Sequence, residues 1–431
     1  MLSFTNKLSF PKINTIILWI IFVLPFVIYS LNIVWYATNI PFMDDYDAVL
    51  NFTSAFIQTQ RLDEKITLLF SQHNEHRIVF DRVIFLGNYY LFHEVNFKSY
   101  IMFGNLGWML TTMMLIVYFQ KKFHLPLAYL LPIPYLLLSF NHSENMFFAM
   151  AAIQNYWFVF FSVAFLIFLS KDKPLLFCAL FPVALFTSGG GIVLYPLGNL
   201  FLVLRRKWKS FMLFFMLSTL CVVFYFYNYS QPLDHPSIFD VVRAPFRSIA
   251  FFFFFLGNLF SLNGASPLRA MSGPLGFTLF LLSGYIVIKR RGDHFLLLTI
   301  VFIILIAVTT TLARSGFGVL QATYSRYSLF PLLALVCIYI SFITSISREV
   351  TAHRVVLVST MLWAIFFWGI GVVYYEYTHY FLRVKNERIA SIAVFSDGDM
   401  RYLLYPDKYR AAQILLTAEQ QHIYNYRDQK P

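Results

Sequence analysis

Charge is what this sequence has least of. Only 13% of its 431 residues are Asp, Glu, Lys or Arg, against roughly a quarter in ordinary soluble chains. With 59% hydrophobic residues, too little polar surface exists to cover a water-soluble fold, so lipid must be the solvent for most of the chain. Cysteine is scarce as well. Cys178, Cys221 and Cys337 lie far apart, each inside an apolar run, which excludes a disulfide framework or a cysteine metal site and leaves three small buried hydrophobes. A cleavable leader is also lacking: the apolar run Ile13–Trp35 is too long for a signal h-region and has no small-residue cleavage site, so it reads as a first span. No solenoid repeat and no inverted repeat of the transporter kind is visible.

What the chain does have is long apolar runs. Spans are expected near residues 13–35, 100–119, 124–140, 156–170, 174–187, 191–204, 210–227, 272–288, 294–312, 327–346 and 355–375, about eleven in all. With the N-terminus inside, the short loops carrying Lys121/Lys122, Lys171/Lys173, Arg205–Lys209, Lys289–Arg291 and Arg348/Arg354 all fall on the cytoplasmic side, as basic loops do. Together with Lys7 and Lys12 they hold fifteen of the 33 basic residues and only three of the 21 acids, Asp172, Asp293 and Glu349. The outer segments are then charge-balanced, and the net charge of +12 is an orientation signal rather than a nucleic-acid footprint. Counting Ile249–Leu262 as a span would break this pattern, so it is expected as a membrane-surface or re-entrant helix.

The predicted organisation is an all-α polytopic membrane domain over residues 1–375 and a small non-cytoplasmic tail over 376–431. The outer segments are a long first loop (36–99), loops at 141–155, 228–271 and 313–326, and the Gly189–Gly191 turn. In the first loop, Val49, Leu50, Phe52, Ala55 and Phe56 recur at helical spacing, and a second amphipathic stretch runs from Arg77 to Leu91. Both are expected to lie on the membrane surface. In the tail, Ser396-Asp-Gly-Asp399 reads as a hairpin turn and Pro406 as the opening of a helix to about Ile423. The arms 174–187 and 191–204 are short for a bilayer, which leaves two readings of Ser188–Gly191: a turn sunk below the outer surface, or a tight turn between tilted helices.

Chemistry-bearing residues gather on the outer side. Asp44, Asp45 and Asp47 lie within four positions just after the first span. Crowded carboxylates raise one another's pKa, which suits a general base; the plainer reading is capping of the helix that follows. Next come Gln72-His73-Asn74-Glu75-His76-Arg77 and Asp81-Arg82. The His-Glu-x-x-His pattern is absent, so a divalent metal is not expected, and the mixture of donors and acceptors suits a sugar or phosphate. The plainer reading is a solvated loop that starts a helix. In the 313–326 loop, Arg314 and Arg326 flank Gly316 and Gly318, with Tyr324 beside them. Arginine grips phosphate oxygens in a fork, and the glycines let backbone approach a ligand; simple snorkelling is the alternative. Arg243 and Arg247, four apart, and Arg269 are either additions to an anionic-lipid pocket or interfacial anchors. His142, Glu144, Asn145, Gln154 and Asn155 share the outer side and suit an acceptor-sugar surface.

This pattern resembles the GT-C glycosyltransferases, multi-span enzymes that take a sugar from a polyprenyl-phosphate carrier. Asp44-Asp45 matches their acidic first-loop motif in placement and type, and Arg314 or Arg326 matches their phosphate holder by placement. The match is best over the first hundred or so residues. Size, the 51 phenylalanines and the outward tail are also similar to the glucosyltransferases of O-antigen serotype conversion. The resemblance implies a GT-C-like fold and a bacterial inner-membrane location, with the N-terminus cytoplasmic and the C-terminus periplasmic. It implies a polyprenyl-phosphate-sugar donor, a glycan acceptor such as lipid-linked O-antigen, and no cofactor beyond the lipid-linked co-substrate. Inverting attack is implied, with Asp44 or Asp45 as base and Arg314 or Arg326 holding the donor phosphate. The residues themselves add Arg247 toward that phosphate and His73, Glu75, His76, Arg77, Tyr324 and Asn145 toward substrate; the His73–Arg77 cluster departs from the GT-C pattern, which gives it no general role. The competing expectation is a transporter or flippase of a lipid-linked saccharide. It calls for a through-going polar path with polar residues spread across several spans, and polarity here gathers at one face.

Overall fold

The computed structural model describes residues 15–232, 235–260, 267–289, 293–345 and 350–429. Lys7, Lys12, Arg290, Arg291, Arg348, Glu349 and the start of the first span at Ile13 lie outside them, as does the end of the run expected to reach Leu262. Among the described residues the chain is helical without strands. Among the described residues eight helices are long and apolar enough to cross a membrane: Thr15–Tyr36, Phe97–Phe123, Ala149–Ser170, Trp208–Phe226, Leu268–Lys289, His294–Phe317, Ser325–Ser345 and Val355–Tyr377. The protein is therefore a polytopic, membrane-embedded helical chain. The helices expose apolar side chains such as Ile16, Ile20, Leu220, Val223, Leu362 and Phe366, as lipid solvation requires.

Eight of the eleven expected spans coincide with these helices. The segments 174–187 and 191–204 are shorter apolar helices, Pro174–Leu185 and Gly189–Leu204. The segment 124–140 is not one helix: Leu127–Leu130 is a 3-10 turn and Pro132–Leu137 a short helix. Pro126, Pro132 and Pro134 withhold N–H donors and clash with the preceding turn, which stops a continuous helix. The run from Ile249 forms the twelve-residue helix Pro245–Leu256, too short to cross a bilayer at 1.5 Å per residue.

The chain divides into two compact units. The first comprises Met1–Leu31, Met109–Ser143 and His235–Thr378. Its most enclosed span is Ser325–Ser345, 78% buried. At one end Lys122 Nζ meets Asp293 Oδ1 at 2.6 Å, and Asp293 caps the helix His294–Arg314 by accepting from the Leu296 N–H at 3.2 Å. Both residues come from loops assigned to the same side by the charge count. Elsewhere in this unit the helix Pro245–Leu256 is bonded to the 313–326 loop, Ser248 Oγ to Ser315 Oγ at 3.1 Å and Asn258 Nδ2 to the Tyr324 carbonyl at 2.7 Å.

The second unit comprises Asn32–Trp108, Glu144–Asp234 and His379–Pro431. Ala149–Ser170 is its enclosed span, 72% buried. Lys207 Nζ pairs with Asp172 Oδ2 at 2.8 Å, again joining two loops assigned inside. The first outer loop folds as a π-helical turn Tyr46–Asn51 continued by Phe52–Gln58, then Leu62–Phe70 and Val79–Phe92. The apolar side of the first amphipathic stretch is covered by protein. Val49 and Leu50 are fully buried, because the tail helix Lys408–Gln420 packs on the turn that carries them. Val79–Phe92 buries Asp81, Arg82, Phe85 and Leu86 while leaving Val83, Tyr90, Leu91 and Phe92 exposed. The tail is two helices rather than a hairpin of strands. Ser396–Asp399 closes the helix Tyr380–Ser396, and the helix opened after Pro406 runs Lys408–Gln420, capped by Asp407, which accepts from the Arg410 N–H.

Candidate functional site

The three clustered aspartates have three different environments, all within the second unit. Asp45 is 1% exposed. It stands at the N-cap position of the π-helical turn but makes no capping bond to it. Its oxygens accept instead from the backbone N–H of Met150 (Oδ1, 2.9 Å) and of Phe42 (Oδ2, 3.1 Å). Burial pushes its carboxyl up to about 7, against the pull of the two N–H donors and the positive charge of Arg388. Arg388, from the tail, is buried and donates to the Phe147 carbonyl at 2.5 Å, with its guanidinium 4.6 Å from the Phe42 ring centre. Burial holds that guanidinium down to about 10.

Asp47 is engaged differently. Arg410 grips it through Nη2–Oδ1 at 2.5 Å and through Nε at 3.1 and 3.3 Å. The Tyr405 hydroxyl donates to Oδ2, and Asn51 Nδ2 to Oδ1 at 3.3 Å. Asp44, one position before the buried Asp45, is half-exposed. Among the described residues none donates a side-chain or backbone hydrogen bond to its carboxylate. Its charge acts on His73, Asp45 and Tyr405, which places the first-loop histidine segment and the acidic motif in one neighbourhood.

That histidine segment is a tight turn. His73 and His76 exchange backbone hydrogen bonds at 2.8 and 2.9 Å, with Asn74 left-handed at φ 47°. The Gly189 N–H donates to His76 Nδ1 at 3.2 Å. The accepting Nδ1 must be bare, so the hydrogen of the neutral ring sits on Nε2, 3.4 Å from Glu75 Oε1. A Cβ on Gly189 would lie 2.8 Å from that Nδ1 and 2.9 Å from the Tyr225 hydroxyl, so a larger residue would have to push these side chains aside. His73 is mostly enclosed, and among the described residues its Nε2 has no hydrogen-bond partner. Burial lowers its basicity and the charge of Asp44 opposes that.

The two arginines beside this turn serve the backbone. Arg77 donates to the carbonyls of Tyr225 (2.6 Å), Phe70 and Tyr227. Arg82 Nη1 donates to those of Leu68, Leu69 and Ser71 at 2.9, 3.0 and 2.6 Å. Each satisfies carbonyls at a helix C-terminus, where cations are favoured. Asp81 is fully buried, with neither oxygen hydrogen-bonded among the described residues, and burial drives its carboxyl well above the usual range. Asn145 is buried, its Oδ1 accepting from Asn155 Nδ2 at 2.8 Å. Among the described residues no three His, Cys, Asp or Glu side chains gather closely enough to hold a metal ion.

In the first unit, the Ser248–Ser315 bond sets the backbones of Arg247 and Arg314 on neighbouring segments. Arg314 lies over Phe317, 5.7 Å from the ring centre, and Arg326 lies between Tyr324 and Tyr327 at 5.3 and 5.7 Å. The Nε atoms of Arg247 and Arg269 are buried without a hydrogen-bond partner among the described residues. Gly316 admits packing rather than a ligand, since a Cβ there would meet Pro236 Cβ at 2.3 Å. Gly318 adopts φ 102°.

Sequence reasoning missed Arg388 and Arg410, which come from the tail: Arg410 grips Asp47, and Arg388 bears on Asp45 through its charge. Their one signal was the recurrence of basic residues in the tail. Compared with family models, curated proteins and solved structures, the chain has no significant match to any of them.

Proposed function

We propose that the protein is a membrane glycosyltransferase that moves a sugar from a polyprenyl-phosphate donor to a glycan acceptor, with Asp44 as general base. One observation carries this reading. Of the three first-loop carboxylates, Asp45 is held by backbone donors in the interior and Asp47 by Arg410 and Tyr405. Asp44 is partly exposed, as Asp47 is, and it alone of the three has no described residue bonded to its carboxylate. A base must reach the proton it takes, and Asp44 meets that requirement.

In the proposed step the acceptor hydroxyl gives its proton to Asp44. The acceptor oxygen forms a bond to the anomeric carbon as the bond from that carbon to the phosphate oxygen breaks. The lipid phosphate departs with the electron pair, and attack from the opposite face inverts the anomeric centre. A monophosphate leaving group needs its charge stabilised. Lipid-phosphate recognition falls to Arg247, Arg314 and Arg326 of the first unit, which lie on adjoining segments with aromatic support, Arg247 with a buried Nε that has no partner among the described residues.

The test is transfer from a polyprenyl-phosphate-sugar in proteoliposomes. Asp44→Asn should abolish it while membrane insertion and melting stay as in the parent. Full transfer by Asp44→Asn would remove Asp44 from the chemistry. Donor lipid crossing the bilayer with no sugar transferred would point instead to a flippase.

A further inference from the structure

Beside the Asp47–Arg410 pair the second unit holds a half-open cleft of about 290 Å³, lined by Asn51, Ser54, Arg410, Gln413, Ile414 and Thr417. Its walls are the first outer loop and the tail helix Lys408–Gln420, tied together by the bond from Ser54 Oγ to Gln421 Oε1 at 2.8 Å. The amides of Asn51 and Gln413 supply both donors and acceptors, while the Ser54 and Thr417 hydroxyls, whose hydrogens go to Gln421 Oε1 and the Gln413 carbonyl, offer acceptor oxygens. Arg410 is the one charged residue in the lining, and the bidentate contact with Asp47 neutralises it. Ile414 adds an apolar surface. An anion would want an unspent cation, and an apolar ligand a drier wall. A neutral polyhydroxyl ligand, whose hydroxyls both give and take hydrogen bonds and whose C–H faces are apolar, fits this lining. Asp44 lies one helical turn before Asp47, and its carbonyl accepts from the Ala48 N–H in the same turn at 2.8 Å.

We propose that this cleft binds a stretch of the acceptor saccharide next to the sugar that receives the transfer. The proposal rests on the transferase reading and names the substrate class of its acceptor side. It assigns a recognition role to the tail, which the acidic motif alone does not require.

The test is photo-crosslinking of the full-length protein in living cells, with p-benzoylphenylalanine replacing Gln413, and with Asp63 of the same loop, an exposed residue outside the cleft, replaced as control. Crosslinked protein is assayed for carbohydrate by periodate staining and mass spectrometry. Carbohydrate on the Gln413 variant and not on the control is expected. Adducts of lipid or protein alone, or none above the control, would overturn the cleft. Gln413→Trp, which fills the space, provides a second reading with the surface polysaccharide of the same cells as acceptor. The KM for acceptor should rise at least about tenfold with kcat within about twofold, the pattern of lost uniform binding; an unchanged KM overturns the proposal. Repeating the crosslink in the Asp44→Asn background separates the two claims. Carbohydrate capture with transfer intact leaves the cleft standing and removes the base. Transfer abolished with no capture does the reverse.

Discussion

Gly189 offers its backbone N–H to Nδ1 of His76 at 3.2 Å. This bond ties the glycine turn between two short apolar helices to the first outer loop. It also fixes the His76 tautomer, so that Nε2 faces Glu75.

Gly189→Ala tests how much the site depends on this approach. The added Cβ meets His76 Nδ1 and the Tyr225 hydroxyl inside contact distance. Overpacking of this kind costs about 1–3 kcal/mol. Thermal melting in detergent should fall accordingly, and sugar transfer should fall further than in a variant destabilised equally elsewhere. A melting temperature equal to the parent's would show that the turn yields freely.

The eight long spans were legible because lipid imposes a run of about 20 apolar residues on each. The segment 124–140 misled because its apolar content is right while Pro126, Pro132 and Pro134 break its backbone. In the tail the turn at Ser396–Asp399 is legible, but the short apolar run before it carries no decisive period, so the helix Tyr380–Ser396 is not. Within the site, polarity flagged Asp44, Asp45, Asp47 and the stretch His73–Arg77. Their division of labour was invisible, since the partner of Asp47 is 363 residues away and nothing local distinguishes Asp44 from Asp45. The polar run also concealed that Arg77 faces three backbone carbonyls rather than a ligand.

Arg77→Lys should therefore damage folding rather than catalysis. A lysine ammonium cannot span the carbonyls of Tyr225, Phe70 and Tyr227 as a planar guanidinium does. Losing charge-assisted bonds and stranding buried carbonyls costs about 2 kcal/mol or more. The expected result is reduced folded yield, with near-normal specific activity in the fraction that folds. Normal stability with weakened substrate binding would instead make Arg77 a ligand contact.

The Asp47–Arg410 pair anchors the tail to the first loop. Asp47 is mostly buried and Arg410 about half-exposed, so a double-mutant cycle with Asp47→Asn and Arg410→Gln should return a coupling of about 1 kcal/mol. It should shrink in high salt. Limited proteolysis should also cut the tail sooner in either single variant. A coupling of zero would leave the tail held by its apolar face alone.

Asp45 gives stability a pH dependence of definite sign. Its folded pKa is raised to about 7 from 3.8. Between those values the folded protein keeps a proton that the unfolded chain has released. Stability from this group is therefore greatest at low pH, declines as pH rises from about 4 to about 7, and is level above that. The melting temperature should fall across that window, and Asp45→Asn, which cannot ionise, should flatten the slope. A slope unchanged in Asp45→Asn would assign the dependence to another group.

Asp81 is buried with neither oxygen hydrogen-bonded among the described residues, and burial raises its carboxyl well above the ordinary range, which disfavours the ionised form. A buried polar group without partners costs free energy, and an apolar side chain of similar size removes that cost. Asp81→Leu should thus match or exceed the parent in melting temperature by the equivalent of about 1–2 kcal/mol, and Asp81→Asn should be close to neutral. Both should retain transfer, because Arg82, the neighbouring charge, is already held by the carbonyls of Leu68, Leu69 and Ser71. If Asp81→Leu instead melted several degrees lower, the carboxyl would have to be ionised and balanced by Arg82, and Asp81→Asn would then share the loss.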